Sequence, residues 1–462
     1  MKMKTRNHGW RFLLGTLALV SFCFVGCSDD NEKGEAPFDP GKPVVISDFT
    51  PKEGGLNSRL VIYGDNFGND VSKVKVRIGG KESVVIGVKN QSLHCFIPAK
   101  AFDGDIEITI LNDQGEELAY AEAAEKFVYQ KNVLVTTFLG TTYENNTKYD
   151  VKDGPFDDCG GFDQMGWMVF DPNDPDMLYI CGNTSKKHRI VNFKTERVES
   201  IKFSGDAADD CNVFEFSKKG ELVVVRNATK DGIKGIFFYN GQGYQNLTKA
   251  LNARGCRAAA THPINGEIYT TRYDKGWIGR YDPETDVYEP SKLPLPYSSI
   301  QAWLMIHPTG KYMYMTTGER NAIFRSNYDE ENKTFTAPYL ACGKYDKDTK
   351  DWKDDVGGNA RLRIPRQGCF VKNPKYAGKE DEYDFYFCDR DNHCIRILTP
   401  EGKVNTFAGR PNGDGTKGYN DGALRTEARF NEPVCIVYDE KRECFYVGDN
   451  LNRRIRKIAL EE

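Results

Sequence analysis

Two stretches near the C-terminus decide the fold: YFCDRDNHCIRIL, residues Tyr386–Leu398, and YVGDNLNRRIRKI, residues Tyr446–Ile458. Set sixty residues apart, they place Asp389 on Asp449, Asn392 on Asn452, Ile395 on Ile455 and Arg396 on Arg456. The carboxylates, His393 and Cys394 of the first copy have the look of a metal site, or of a nucleophile with its base. In the second copy Arg453 and Arg454 stand where the His and Cys stood. What the copies share is a strand, an Asp-containing turn and a second strand, which is a β-hairpin of a repeat unit rather than a reactive centre.

A second echo joins distant parts of the chain. VTTFLG, closing at Gly140, matches VNTFAG, closing at Gly409; Asp153-Gly154 matches Asp421-Gly422, and Phe162 matches Phe430. The segment NGDGTKGYNDG (Asn412–Gly422) superficially resembles a calcium loop, but it lacks the spaced acidic ligands and terminal Glu of one. It reads as a Gly-rich turn between repeats. First strands are then expected near Trp167, Asn212, Arg257, Ala302, Gly368 and Val434, at spacings of 45, 45, 45, 66 and 66 residues. Second strands follow as MLYICG, ELVVVRN, EIYTTRY, KYMYMTT, DFYFCD and CFYVGD, alternating and rich in β-branched and aromatic residues. Six such units of four short strands predict a β-propeller, which leaves no long exposed sheet edge. The last unit supplies three strands, Val434–Tyr438, Cys444–Gly448 and Arg454–Ile458. Val133–Phe138, the counterpart of Val404–Phe407, is expected to complete it and close the ring.

The pattern D-x-x-N-x-x-I-R, then Gly-Lys-Val-x-T-x-A-Gly, D-G and A-x-F-N-x-P, is similar to NHL repeats. It is specific over Pro365–Ile458 and around Val133–Asp171, and fades to bare strand spacing in the middle units. Upstream, the Thr50-Pro51 turn, the Gly54-Gly55 pair, the corner Gly64-Asp65-Asn66-Phe67-Gly68 and the strand end Ile97-Pro98 resemble an IPT/TIG immunoglobulin-like domain. The expected class is all-β: an immunoglobulin-like sandwich at 43–130 followed by a six-bladed NHL-like propeller at 131–462.

The N-terminus supplies the compartment. Lys2, Lys4, Arg6 and Arg11 precede the apolar run Phe12–Val25, which ends at Gly26-Cys27. A positive stretch followed by about 15 apolar residues reads as a secretory signal, short for a span of ~20. The ending FVGC resembles a bacterial lipoprotein signal (1–27), with Cys27 the lipidated residue. The following SDDNEKGE resembles the acidic export tag of Bacteroidetes surface lipoproteins, in a flexible linker at 28–42. The resemblance implies a lipid-anchored protein of the outer membrane, exposed at the cell surface and touching the membrane through its anchor alone.

Composition agrees with an ordered, turn-rich β protein: 39% hydrophobic, with 44 Gly, 24 Tyr and 27 Phe in 462 residues. A net charge of −4 without a long basic run gives no reason to expect nucleic acid. Of 13 Cys, Cys23 and Cys27 fall in the signal, and most of the rest sit in apolar runs as small hydrophobes, so few or no disulfides are expected.

The whole order of modules resembles the surface glycan-binding lipoproteins of Bacteroidetes polysaccharide-utilisation systems. That resemblance implies a non-catalytic protein that captures oligo- or polysaccharide for an outer-membrane importer complex, with no cofactor. Two other readings stand beside it: a propeller lyase or hydrolase acting on a saccharide, and a scaffold that docks partner proteins. The enzyme reading has little material. Only six His occur, with His188 and His393 on turns of separate blades, and the pairs Asp209-Asp210 and Asp157-Asp158 read as turn caps.

A binding face is easier to assemble. Loops leading into first strands and turns between second and third strands share one face of a propeller. They bring Trp167, Arg257 and Trp303 together with Asn183, Arg226, Arg272, Tyr273, Trp277, Arg320, Arg390 and Asp449. Aromatic rings stack on the C–H faces of sugars, and planar polar groups pair with their hydroxyls. The Arg content also suits a carboxylated or sulfated glycan. The competing explanations are structural: Arg at such turns can pair with Asp of a neighbouring blade, and Trp167 and Trp303 lie in apolar runs that belong in a core. Trp277, in the polar turn RYDKGWIGRY, is the leading single contact, and Trp352 an exposed loop candidate.

Overall fold

Every regular element of the described residues is a β-strand or a single 3-10 turn, as the alternating patterns require. The structure is a computed structural model that describes residues 36–142, 149–182, 187–203, 211–318, 320–349, 351–410 and 415–462. The expected signal with Cys27, most of the expected linker, Asn183, Asp209-Asp210 and the start of the Asn412–Gly422 segment lie outside these residues. The chain divides into two units, Met1–Lys131 and Asn132–Glu462.

The first unit is an immunoglobulin-like β-sandwich. One sheet orders Val45–Thr50, Arg59–Asp65, Ser92–Phe96 and Val85–Lys89; the other orders Lys81–Glu82, Val74–Ile78, Ile106–Leu111 and Glu117–Glu122. Period-two alternation sends Leu60, Ile62, Val76, Ile78, Leu93, Ile106 and Ile108 into one core between the sheets.

The second unit is a propeller of six antiparallel sheets. The first strands, in chain order, are Met165–Phe170, Cys211–Phe216, Cys256–Thr261, Ala302–Ile306, Pro365–Lys372 and Pro433–Asp439. Each pairs with its second strand, and the third and fourth follow outward. Second strands are flanked by strands on both edges and packed by blades on both faces, so their apolar runs are buried throughout: Tyr312–Thr317 is buried at every position. Val133–Leu139 pairs antiparallel with Arg454–Leu460, from Val133 opposite Leu460 to Leu139 opposite Ile455. The beginning of the propeller thus supplies the outer strand of its last blade.

The repeat motif is a buried ionic staple. In blade five the Arg396 guanidinium, fully buried, donates from Nη1 to Asp389 and from Nη2 to Asp354, each at 2.7 Å. Asn392 Nδ2 donates to the same Asp389 carboxylate at 2.8 Å, whose other oxygen accepts the Arg363 N–H at 2.6 Å. Asp354 also accepts from Thr406 N and Oγ1 in the fourth strand. Blade six repeats the arrangement with Arg456, Asp449, Asn452, Asp421 and Thr137. His393 merely closes the turn in a left-handed conformation, φ 54°, its Nδ1 accepting the Glu432 N–H at 3.1 Å. The eleven cysteines of the described residues are all free thiols, ten of them buried.

Candidate ligand-binding site

Five of the six first strands carry a register shift at their leading end: Met165/Trp167, Cys211/Val213, Cys256/Ala259, Pro365/Gly368 and Pro433/Cys435. A β-bulge leaves residues out of the ladder and re-aims their side chains. The residues so released include Gly166, Asn212, Arg257, Arg366 and Val434. All five line one cavity of about 310 Å³, where the first strands converge at one face of the ring. Blade four, whose first strand has no shift, contributes Gln301 and Trp303, so every blade reaches the cavity. Arg390, Glu432 and Asn450 complete its rim.

The electrostatics are lopsided. Three guanidinium groups face one carboxylate, that of Glu432, and Glu432 is committed to Arg390 at 2.9 Å. Arg257 donates from Nη1 to Asn212 at 3.0 Å, while its buried Nε has no partner. Arg366 lies flat on Trp303, Cζ 4.0 Å from the ring centroid. Among the described residues Arg366 makes no ion pair, and its buried Nε lacks a hydrogen bond. Burial, together with the like charges of Arg390 and Arg257, outweighs the carboxylates of Asp391 and Glu432 and pushes the Arg366 guanidinium down to about 9. The Trp303 indole has its place because position 318 is Gly: a Cβ there would stand 2.7 Å from Cζ3.

A larger cavity of about 680 Å³ lies at the opposite ends of the strands, between blades two and three, lined by Lys218, Lys219, Glu221, Lys249, Tyr281 and Glu284 among others. Two neighbouring blades build it, and Lys249 is already paired with Asp286 and Tyr281. Size favours this groove; convergence of all six blades and an unpaired guanidinium favour the mouth, and chemistry is the better guide.

The residues read from sequence fall into four places. Trp303, Arg257 and Arg390 line the cavity. Tyr273 backs it, its ring 4.9 Å beneath the Arg257 guanidinium. Trp277, Arg272 and Arg320 stand on the rim of blades three and four. There Trp277 is 37% exposed, Arg272 is held by Asp274 at 3.0 Å, and Arg320 lies 5.4 Å from the Tyr345 ring. Trp167 does not reach the site: it is 3% exposed, inside the core. Its side chain follows the bulge at Gly166 and returns to the packed face. Trp352 is half-buried in blade five, its Nε1 donating to Thr406 Oγ1 at 2.9 Å, not a free loop contact. Of the other turn residues, Asp449 is spent in its staple.

Sequence reasoning missed Arg366, Gln301 and the pair Tyr297–Tyr345. Those two rings stack at 3.8 Å with a 13° interplanar angle, and Tyr297 is 48% exposed. They occupy the segments on either side of blade four, and the Tyr297 carbonyl packs against Gly276, next to Trp277.

Residues 43–129 match the IPT/TIG domain family. The chain is similar to a Bacteroides thetaiotaomicron protein described as an auxiliary nutrient binding protein, at 50% identity over 92% of this chain and 100% of that one, TM-score 0.87. A Bacteroides ovatus protein of the same description is 45% identical over the same shares, TM-score 0.72. A further Bacteroides thetaiotaomicron protein, with a provisional phosphatase name, is 37% identical over 92% of this chain and 99% of that one, TM-score 0.81. Among curated proteins none matches.

Proposed function

We propose a role for a chain that belongs to one family with the auxiliary nutrient binding proteins of Bacteroides thetaiotaomicron and Bacteroides ovatus: it is a non-catalytic binder that captures an oligo- or polysaccharide. The observation that carries this is the mouth cavity, to which every blade contributes and which gathers planar donors and amides from Arg257, Arg366, Gln301 and Asn212, with the buried Trp303 ring beneath Arg366 as its support. A sugar ring placed there meets fixed hydrogen-bonding groups, and the exposed aromatic faces lie beside it on the rim. The stacked Tyr297–Tyr345 pair and Trp277 extend the surface outward along blades three and four, as a chain longer than one sugar requires.

Lipidation at Cys27 would hold the protein at the outer membrane, where several acyl chains tether firmly because each buried CH₂ contributes roughly 0.8 kcal/mol. The IPT/TIG domain serves as a spacer between anchor and propeller, and the captured ligand passes to an importer complex. Among the described residues lining the cavity, the one carboxylate is engaged by Arg390, so no pair of carboxylates is poised for acid–base cleavage. The provisional phosphatase name of one relative makes release of phosphate the competing activity to assay.

Affinity electrophoresis against neutral and anionic polysaccharides, with the same mixtures checked for sugar and phosphate release, tests this reading. Retardation without product is the expected result. Turnover of any ligand would replace the binder with an enzyme.

A further inference from the structure

Resting on the reading above, we infer that the mouth cavity is built for an oxyanion, a carboxylate or sulfate carried by the saccharide, with Arg366 as its principal partner and Arg257 as the second. The inference starts from a charge that the fold leaves unanswered. Arg396 and Arg456, the buried arginines of blades five and six, each hold two carboxylates. Arg390 holds Glu432 and Asp391. Arg366 holds none, although it is packed against Trp303 and flanked by two other guanidinium groups at the wall of an open cavity. Collecting like charges in a partly desolvated place is unfavourable unless something of opposite charge completes them.

The chemistry on offer narrows the ligand. A guanidinium presents parallel N–H donors that match the two oxygens of a carboxylate or of a sulfate edge, which a lysine ammonium does not. Stacking on Trp303 fixes the plane of the Arg366 fork, and the Asn212 amide fixes Arg257. Both groups line the cavity, and among the described residues neither makes an ion pair, so each brings terminal N–H groups to an incoming anion. The cavity volume of about 310 Å³ suits one charged sugar rather than a longer segment. The rest of a chain would run across the rim, where Tyr297, Tyr345 and Trp277 lie.

The test titrates the purified protein with matched oligosaccharides: oligogalacturonate against the neutral galactan, and a sulfated galactan against its desulfated form. Inorganic sulfate is followed separately by tryptophan fluorescence, with Trp303→Phe assigning the part of the signal that belongs to Trp303. We expect at least one charged member to bind tenfold or more tighter than its neutral partner, the difference shrinking with added NaCl. Arg366→Gln and Arg257→Gln should each lower that affinity at least tenfold, while Lys219→Gln, in the groove at the opposite ends of the strands, leaves both affinity and charge preference intact. Equal binding of charged and neutral partners, or full charged-ligand affinity in a folded Arg366→Gln protein, overturns the oxyanion site and leaves the saccharide reading standing. Sulfate quenching of Trp303 that Arg366→Gln abolishes, with every saccharide silent, supports the oxyanion site and overturns the saccharide reading. Silence of sulfate and saccharides alike overturns both.

Discussion

Arg396 is fully buried, and its two terminal nitrogens each hold a carboxylate: Nη1 that of Asp389, Nη2 that of Asp354, both at 2.7 Å. This one side chain ties the third strand to the hairpin turn and, through Asp354 and Thr406, to the fourth strand. Removing one partner of such a pair leaves a buried charge uncompensated. Arg396→Met should therefore cost about 3–5 kcal/mol in chemical denaturation, and adding Asp389→Asn should recover part of it. The sequence repeat disclosed this network, because Asp, Asn and Arg recur together while His393 and Cys394 do not. Arg366 was illegible for the opposite reason: it belongs to no repeat. Glu215, in the first strand of blade two, has the Phe216 N–H as its hydrogen-bond donor at 3.0 Å, and burial pushes its carboxyl up to about 8. The folded protein keeps a proton there that the unfolded chain releases above about 4.5. Stability is accordingly lost as pH rises through that interval. Glu215→Gln should flatten this loss, raising stability at pH 8 by on the order of 1–3 kcal/mol and having no such effect at pH 4. A pH series of thermal melts showing parallel curves for the two proteins would refute it.

At the scale of elements, the strand Val133–Leu139 does what its likeness to the fourth strand of blade five implies. It pairs with Arg454–Leu460, and the Thr137 N–H donates to Asp421 as the Thr406 N–H donates to Asp354. Leu139 is 1% exposed in the core it shares with Met165, Cys435 and Ile455. Leu139→Ala should destabilise the propeller by about 2–5 kcal/mol, visible in denaturant midpoint. A change below about 0.5 kcal/mol would mean the ring does not depend on this closure. The bulges were not legible. Strand periodicity finds the stretch after a bulge, so the first strand of blade five was read from Gly368, whereas it starts at Pro365. The skipped residues include Arg366. The same slip hid the reason Trp167 points inward while its neighbour Gly166 lines the site. Spacings of 45 residues still placed Asn212 and Arg257 correctly, because both blades carry their bulge at the same point.

For the whole molecule, the proposed function requires that one face of the propeller, not its opposite groove and not the sandwich, take the ligand. The all-β class and the order of sandwich and propeller could be read from turn chemistry and repeats. The chemistry of the mouth could not, since six strand ends far apart in sequence meet there and only three of the eight residues singled out arrive. Hydrogen exchange of the protein with and without a polysaccharide that retards it in affinity electrophoresis addresses this directly. Slowed exchange is expected at 164–166, 256–258, 300–304 and 365–368, with the retardation weakened about tenfold or more by Trp303→Ala. Protection confined to the groove around Lys218 and Lys249, or to residues 43–129, would contradict it.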